Sequence, residues 1–145
     1  MEHIAILSKK RKILDKIISG EKTIESRWYK FKKAPFETIS AGETVYFKES
    51  GEMISAKAKV KKTLFFKDLN LEKIKEILTA HGKDICMNIS QAETIKDKKF
   101  CTLIFLEDVK KIEPFAINKK GYGVMTAWIS LDDVGKIKKM PNASR

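Results

Sequence analysis

Residues 54–62, Ile-Ser-Ala-Lys-Ala-Lys-Val-Lys-Lys, alternate between two kinds of side chain. Ala56, Ala58 and Val60 fall on one parity, and Lys57, Lys59 and Lys61 on the other. Successive side chains leave a β-strand on opposite faces, so this spacing predicts a strand with an apolar side and a cationic side. The apolar residues are small, which suits the inside of a tight barrel. The lysine row has two readings: protection of a sheet against edge pairing, or a stripe that tracks phosphates.

Other stretches fit the same architecture. Residues 3–7 read as a short buried strand. Residues 44–49 alternate, with Val45 and Phe47 on one face and Tyr46 and Lys48 on the other. Residues 100–106 are apolar on both faces, which predicts the central strand of the sheet, continuing to residue 112. Residues 125–130 read as a closing strand with Trp128 buried. A helix after Ser8 carries Ile13, Leu14, Ile17 and Ile18 on one face. A second helix is expected over 71–80, capped by Asp68 or Asn70 and ended by His81-Gly82. Residues 84–99 read as a short helix and a polar loop, 132–139 as a short terminal helix, and 140–145 as a frayed tail. Short alternating strands with two main helices define an α+β class with a small barrel. A chain of 145 residues fits one domain, 1–145.

The formal net charge is +11, a field that favours polyanions such as RNA, DNA or anionic surfaces. Lysine supplies nearly all of it, since arginine occurs only at Arg11, Arg27 and Arg145. A lysine-rich proteome produces the same balance without a ligand, and that reading makes Arg27 stand out. Cys86 and Cys101 lack CxxC spacing, so neither a zinc site nor a disulfide framework is indicated. With only His3 and His81, a histidine metal site or a Ser-His-Asp triad is not expected. The apolar runs are too short to cross a membrane, and residues 4–7 do not form a secretory signal. A cytoplasmic protein without cofactors is expected.

Residues 20–27, Gly-Glu-Lys-Thr-Ile-Glu-Ser-Arg, gather the chemistry. Gly20 suits a left-handed helix end, and Thr23 and Ile24 suit a strand start. Glu25 and Arg27 share a strand face. Lys22 has the other parity and joins them only if the chain is still turning at 22–23 or a bulge re-aims it. The run that follows, residues 28–33, interleaves Trp28, Tyr29 and Phe31 with lysines, as a stacking and phosphate-contact loop does. Phe31 is expected to plug the barrel end, and Trp28 or Tyr29 to stack on a ligand.

The pattern Gly20-x-Lys22-x-x-Glu25-x-Arg27 resembles the signature of the ASCH family, a branch of the PUA-like folds. The resemblance covers residues 3–62 and, less closely, 100–130. It implies a PUA-like β-barrel with helices at its rim and a cleft lined by the signature residues. It implies RNA binding, and in one branch hydrolysis of the acetyl amide of N4-acetylcytidine; nuclease activity also occurs among members. In the hydrolase branch the motif lysine acts with a threonine and a distant glutamate. Here Glu25 stands at the threonine's position, Thr23 lies on a neighbouring one, and Glu49 and Glu52 are candidates for the glutamate.

Three readings of the motif follow. In a binding module, Lys22 and Arg27 hold phosphate or a base edge, Trp28 or Tyr29 stacks, and Lys9, Lys10, Lys57, Lys59 and Lys61 add a sequence-independent term. In an amidohydrolase, Lys22 is the base, Glu25 activates water and Arg27 holds the oxyanion. In a structural role, Glu25 and Arg27 form a salt bridge and Lys22 is solvated. The cations of residues 9–12, in the first turn of the first helix, oppose its dipole. They are either a tolerated cost or, with the free N–H groups, a phosphate site.

Overall fold

The computed structural model describes residues 1–123 and 125–140, so the segment 141–145 expected to fray lies outside it. Six strands among the described residues form one curled mixed sheet. They are β1 (Glu2–Leu7), β2 (Ile24–Tyr29), β3 (Thr44–Glu49), β4 (Ile54–Phe66), β5 (Phe100–Phe115) and β6 (Trp128–Leu131). Their order across the sheet is β2-β5-β4-β3-β1-β6. Only β1 and β3 run parallel; the other neighbours are antiparallel. The chain adopts the expected α+β class, with its sheet curled into a half-barrel.

Curvature comes from β4. Its register against β5 shifts between Ile54 and Ala56, Lys57 and Lys59, and Val60 and Lys62, and β3 shifts against it between Phe47 and Lys48. Each extra residue bends the strand and raises its twist, which rolls the sheet toward a half-barrel. Ala56, Ala58 and Val60 point inside with Val45, Phe47 and Trp128, while Lys59 and Lys61 are exposed and Lys57 half-buried. The alternation in residues 54–62 thus sets both faces as expected.

α1 (Ile13–Ser19) plugs the interior with Leu14 and Ile17. α2 (Leu71–Ile85) covers the outside through Ile74, Ile77, Leu78 and Ile85, packed on Ile24, Cys101 and Leu103. A third cluster, Ile4, Ile54, Ile117, Ile129 and Val134, lies under the C-terminal segment.

Several expectations are corrected. α1 begins at Ile13 because Lys12 takes a left-handed φ of 55° that an α-helix does not propagate through. Residues 9–12 form a turn, with the Arg11 N–H donating to Ser8 Oγ at 3.4 Å, so the four cations precede α1, Lys12 at its N-cap, instead of forming its first turn. α2 passes through His81 and Gly82 and ends at Cys86, whose φ is 66°. Asn70, not Asp68, caps it by accepting from the Lys73 N–H at 2.9 Å. β5 is second from the sheet edge rather than central; it is apolar on both faces because the barrel interior and α2 cover it. Phe31 is 77% exposed and plugs nothing. The closing strand begins at Trp128, and the terminal helix is a single 3₁₀ turn, Val134–Ile137. A longer 3₁₀ segment, Ile89–Ile95, fills much of the 84–99 stretch.

Candidate functional site

Gly20 ends α1 at φ 84°, with its N–H on the Ile17 carbonyl. The chain then turns: the Lys22 N–H donates to Lys16 O at 2.9 Å and the Thr23 N–H to Asp84 O at 3.0 Å. β2 starts only at Ile24. This turn resolves the parity conflict and brings the Lys22 side chain to the face of Glu25 and Arg27.

All three residues are buried, with 6%, 4% and 8% of their surface exposed for Lys22, Glu25 and Arg27. Lys22 Nζ donates to Ile85 O at 2.6 Å and lies 3.4 Å from Glu25 Oε1. Glu25 Oε2 accepts from Arg27 Nη2 at 3.0 Å and Nε at 3.3 Å, and Oε1 accepts from the Ser26 N–H at 3.2 Å. Arg27 reaches further. Its Nη1 donates to Ala127 O at 3.0 Å and its Nη2 to Ile6 O at 3.4 Å, and the guanidinium lies 5.1 Å from the Trp128 ring centre. The Glu25–Arg27 salt bridge of the structural reading is present, but Lys22 is not solvated.

Burial works against ionisation of Glu25, and Arg27 and Lys22 overcome it, holding the carboxyl below the usual range. Two cations face one carboxylate, leaving a net positive charge in a low-dielectric site. Counting donors, one N–H of Arg27 Nη1 and one of Lys22 Nζ have no protein partner among the described residues.

Above these groups opens a cleft of about 560 Å³, within the size range of small-ligand sites. Lys22, Glu25, Ser26, Arg27, Trp28 and Tyr29 line it from the motif. Ser8 and Arg11 line it from the turn between β1 and α1, and Lys16 from α1; Cys86, Gln91, Thr94 and Lys98 line the opposite wall. Trp28 is half-buried and its Nε1 donates to Ser26 Oγ at 3.0 Å. The Lys33 ammonium already lies 4.3 Å from the Tyr29 ring centre, which leaves Trp28 the freer aromatic.

The remaining candidates stand apart. Lys9 pairs with Glu52 at 3.0 Å, and Lys10 is exposed on the turn before α1. Lys57 and Lys59 line a separate cavity of about 370 Å³ with Thr44, Asp108 and Lys110, and Lys61 is exposed further along β4. Glu49 and Glu52 lie at the end of β3 and in the turn after it, and Thr23 is exposed; none is among the cleft-lining residues.

The site also uses groups that residue types do not reveal, the carbonyls of Ile6, Ile85 and Ala127. Gln91, Thr94 and Lys98 reach the cleft through the 3₁₀ segment, and no motif marks them. Burial pushes the Cys86 thiol up and outweighs the nearby Lys22, so it is neutral at ordinary pH.

His3 is fully buried. Its Nδ1 lies 2.8 Å from Ser130 Oγ and its Nε2 2.8 Å from Glu43 Oε1. Serine, histidine and carboxylate thus do meet, although two histidines gave no expectation of it. Trp128 Nε1 donates to the same Ser130 Oγ at 3.1 Å. With no exposure at His3 and the serine oxygen taken, the network fastens β1 to β6 and to the start of β3.

No helix among the described residues is long and apolar enough to cross a membrane. No family model matches the sequence, and no curated protein matches it. Solved structures do match. The ASCH protein of Zymomonas mobilis superposes with a TM-score of 0.68 at 13% identity, covering 95% of this chain and 96% of that one. A single-residue variant of it gives 0.69 at 14% identity over 93% of both chains. The hypothetical protein PH0355 gives 0.52 at 21% identity, over 77% of this chain and 100% of that one. At such identities the likeness is one of fold, and the fold of this chain is the ASCH fold.

Proposed function

We propose that this protein binds RNA or a nucleotide-like ligand in the cleft over Lys22, Glu25 and Arg27, as a cytoplasmic protein. The observation that carries the reading is the buried excess of positive charge at the cleft floor, with two N–H donors unspent. A phosphate or a base-edge oxygen satisfies both. Trp28 offers a face for a base, and Arg11, Lys16 and Lys98 place further cations around the opening. Lys9, Lys10, Lys57, Lys59 and Lys61 contribute long-range attraction from outside the cleft.

The test is binding of a labelled single-stranded RNA by wild type and Lys22→Ala across a salt series. Affinity is expected to fall steeply with salt and further in the variant. Salt-independent binding, or equal binding by both proteins, sinks the reading.

A hydrolytic reading keeps Lys22 as a proton acceptor and Arg27 as an oxyanion holder. Lys22 at the cleft floor favours it. Glu25 argues against it, because both carboxylate oxygens are engaged and its ionised form is already stabilised. Incubation with N4-acetylcytidine, followed by chromatography for cytidine, decides the matter. Release by wild type but not by Lys22→Ala makes the protein an amidohydrolase.

A further inference from the structure

We propose that the ligand, on the RNA reading of the cleft on which this rests, is a single strand that lays one nucleotide in each of three adjoining cavities. Tyr29 and Ala127 line both the Lys22 cleft and a second cavity of about 430 Å³. Gly123 lines both that second cavity and a third, of about 410 Å³, formed with Lys119, Lys120 and Gly121. Like the cleft, each falls within the range of about 300–1,000 Å³ of a small-ligand site. Single residues therefore separate one cavity from the next, as suits consecutive units of one chain rather than independent ligands. Hydrogen bonds tie the walls together. Arg27 Nη1 on the cleft floor donates to Ala127 O at 3.0 Å, and Lys119 Nζ of the third cavity donates to Thr126 O of the second at 3.5 Å.

No acidic side chain lines the second or the third cavity. Of the lysines in residues 28–33, Lys30 pairs with Asp97 at 3.1 Å and Lys32 with Glu37 at 2.9 Å. Lys33 has no carboxylate partner among the described residues. Its ammonium lies 4.3 Å from the Tyr29 ring centre, beside the wall between the cleft and the second cavity. A cation held there suits the phosphate that links two nucleotides. Ala34, Met125 and Trp128 give the second cavity an apolar surface. Met125 is 90% exposed, and an unbranched thioether adapts its shape to a base or a ribose. In the third cavity Gly121 and Gly123, with φ of 93° and 90°, carry no side chain to obstruct an anion between Lys119 and Lys120. That suits the phosphate of a third nucleotide. A duplex, with its bases paired inward, presents none to fill the first two cavities.

The test is the affinity of the protein for 5′-phosphorylated oligouridylates of one, two, three and four nucleotides. It uses wild type, Lys22→Ala, Lys33→Ala, Met125→Glu and Met125→Gln. Wild-type affinity is expected to rise about tenfold with each nucleotide up to the third, and little with the fourth. Lys22→Ala is expected to weaken every length. Lys33→Ala is expected to leave the mononucleotide unchanged, to lower trinucleotide affinity about tenfold and to reduce the salt slope by about 0.7. Met125→Glu, which sets a carboxylate in the second cavity from an exposed position, is expected to remove the gain from added nucleotides; Met125→Gln is expected to keep it. Equal binding of one and three nucleotides, both weakened by Lys22→Ala, overturns the path and leaves the cleft reading standing. A length gain that survives in both Lys33→Ala and Met125→Glu also overturns the path, since the strand then runs elsewhere. Binding of no length, or binding indifferent to Lys22→Ala, overturns the cleft reading and the path with it.

Discussion

The Arg27 guanidinium donates to the carbonyl oxygen of Ala127 at 3.0 Å, joining β2 to the residue that leads into β6. These are the two edge strands of the sheet. The curled sheet is therefore bridged at its open side by a side chain, which also holds Ile6 O on β1.

Arg27→Ala is expected to lower stability by about 3–5 kcal/mol, because it leaves the Glu25 carboxylate buried with Lys22 alone. Arg27→Lys is expected to recover only part of this, since one ammonium does not reach Glu25, Ile6 and Ala127 together. Denaturant midpoints of the three proteins decide it; a loss below about 1 kcal/mol in Arg27→Ala contradicts the bridging role.

Acid is expected to unfold the protein in two stages. Burial, opposed by Glu43, lowers the His3 pKa, so below about 6.5 the unfolded chain binds a proton that the folded one refuses. Stability therefore falls as pH drops from that value toward the folded pKa. Glu25 follows lower down: its folded pKa is depressed, so its contribution is complete above about 4.3 and is lost as pH falls through the folded value. His3→Gln is expected to flatten the first stage and Glu25→Gln the second, as read from stability against pH.

Gly82→Ala reverses the ordinary rule. Alanine in a helix interior gains about 1 kcal/mol over glycine. At Gly82 a Cβ would come within 2.5 Å of the Met87 carbonyl oxygen, a backbone atom. A loss of about 1–3 kcal/mol is expected from this overpacking. Because the strain falls where α2 presents Ile85 O to Lys22, RNA affinity is expected to fall with it. A stabilised variant would contradict the close approach.

Phe31→Ala and Trp28→Ala separate exposure from contact. Phe31 is 77% exposed, and its removal is expected to change stability by less than about 0.5 kcal/mol. Trp28 packs against the α2 cluster and lines the cleft, so its removal is expected to lower both the melting temperature and RNA affinity.

The sheet and the motif were legible wherever periodicity and parity spoke plainly. The alternation in residues 54–62 fixed the inside and outside of β4. Lys22 has the wrong parity to join the Glu25–Arg27 pair unless the chain turns at 22–23 or a bulge re-aims it, and of these the chain takes the turn. Boundaries set by backbone conformation were not legible. The left-handed Lys12 delays α1, and α2 runs past Gly82, a glycine that looks like a stop, to the left-handed Cys86. The cleft's far wall was hidden because it arrives from residues 85–98, which have no pattern of their own. The carbonyls that hold Lys22 and Arg27 belong to residues whose side chains say nothing of it. Phe31 is exposed although an aromatic beside a strand resembles core, because the sheet does not curl over it.

Position 27 answers to two demands at once. The same planar cation bridges the sheet edges and faces the cleft. A change that improved the grip on a ligand by drawing the guanidinium outward would loosen the seam; one that anchored it more firmly to Ala127 would blunt the cleft. A substitution at this residue is therefore expected to cost the seam, the cleft or both. A lineage changing its ligand is expected to do so at the cleft's other wall, among Gln91, Thr94 and Lys98, where the barrel has nothing at stake.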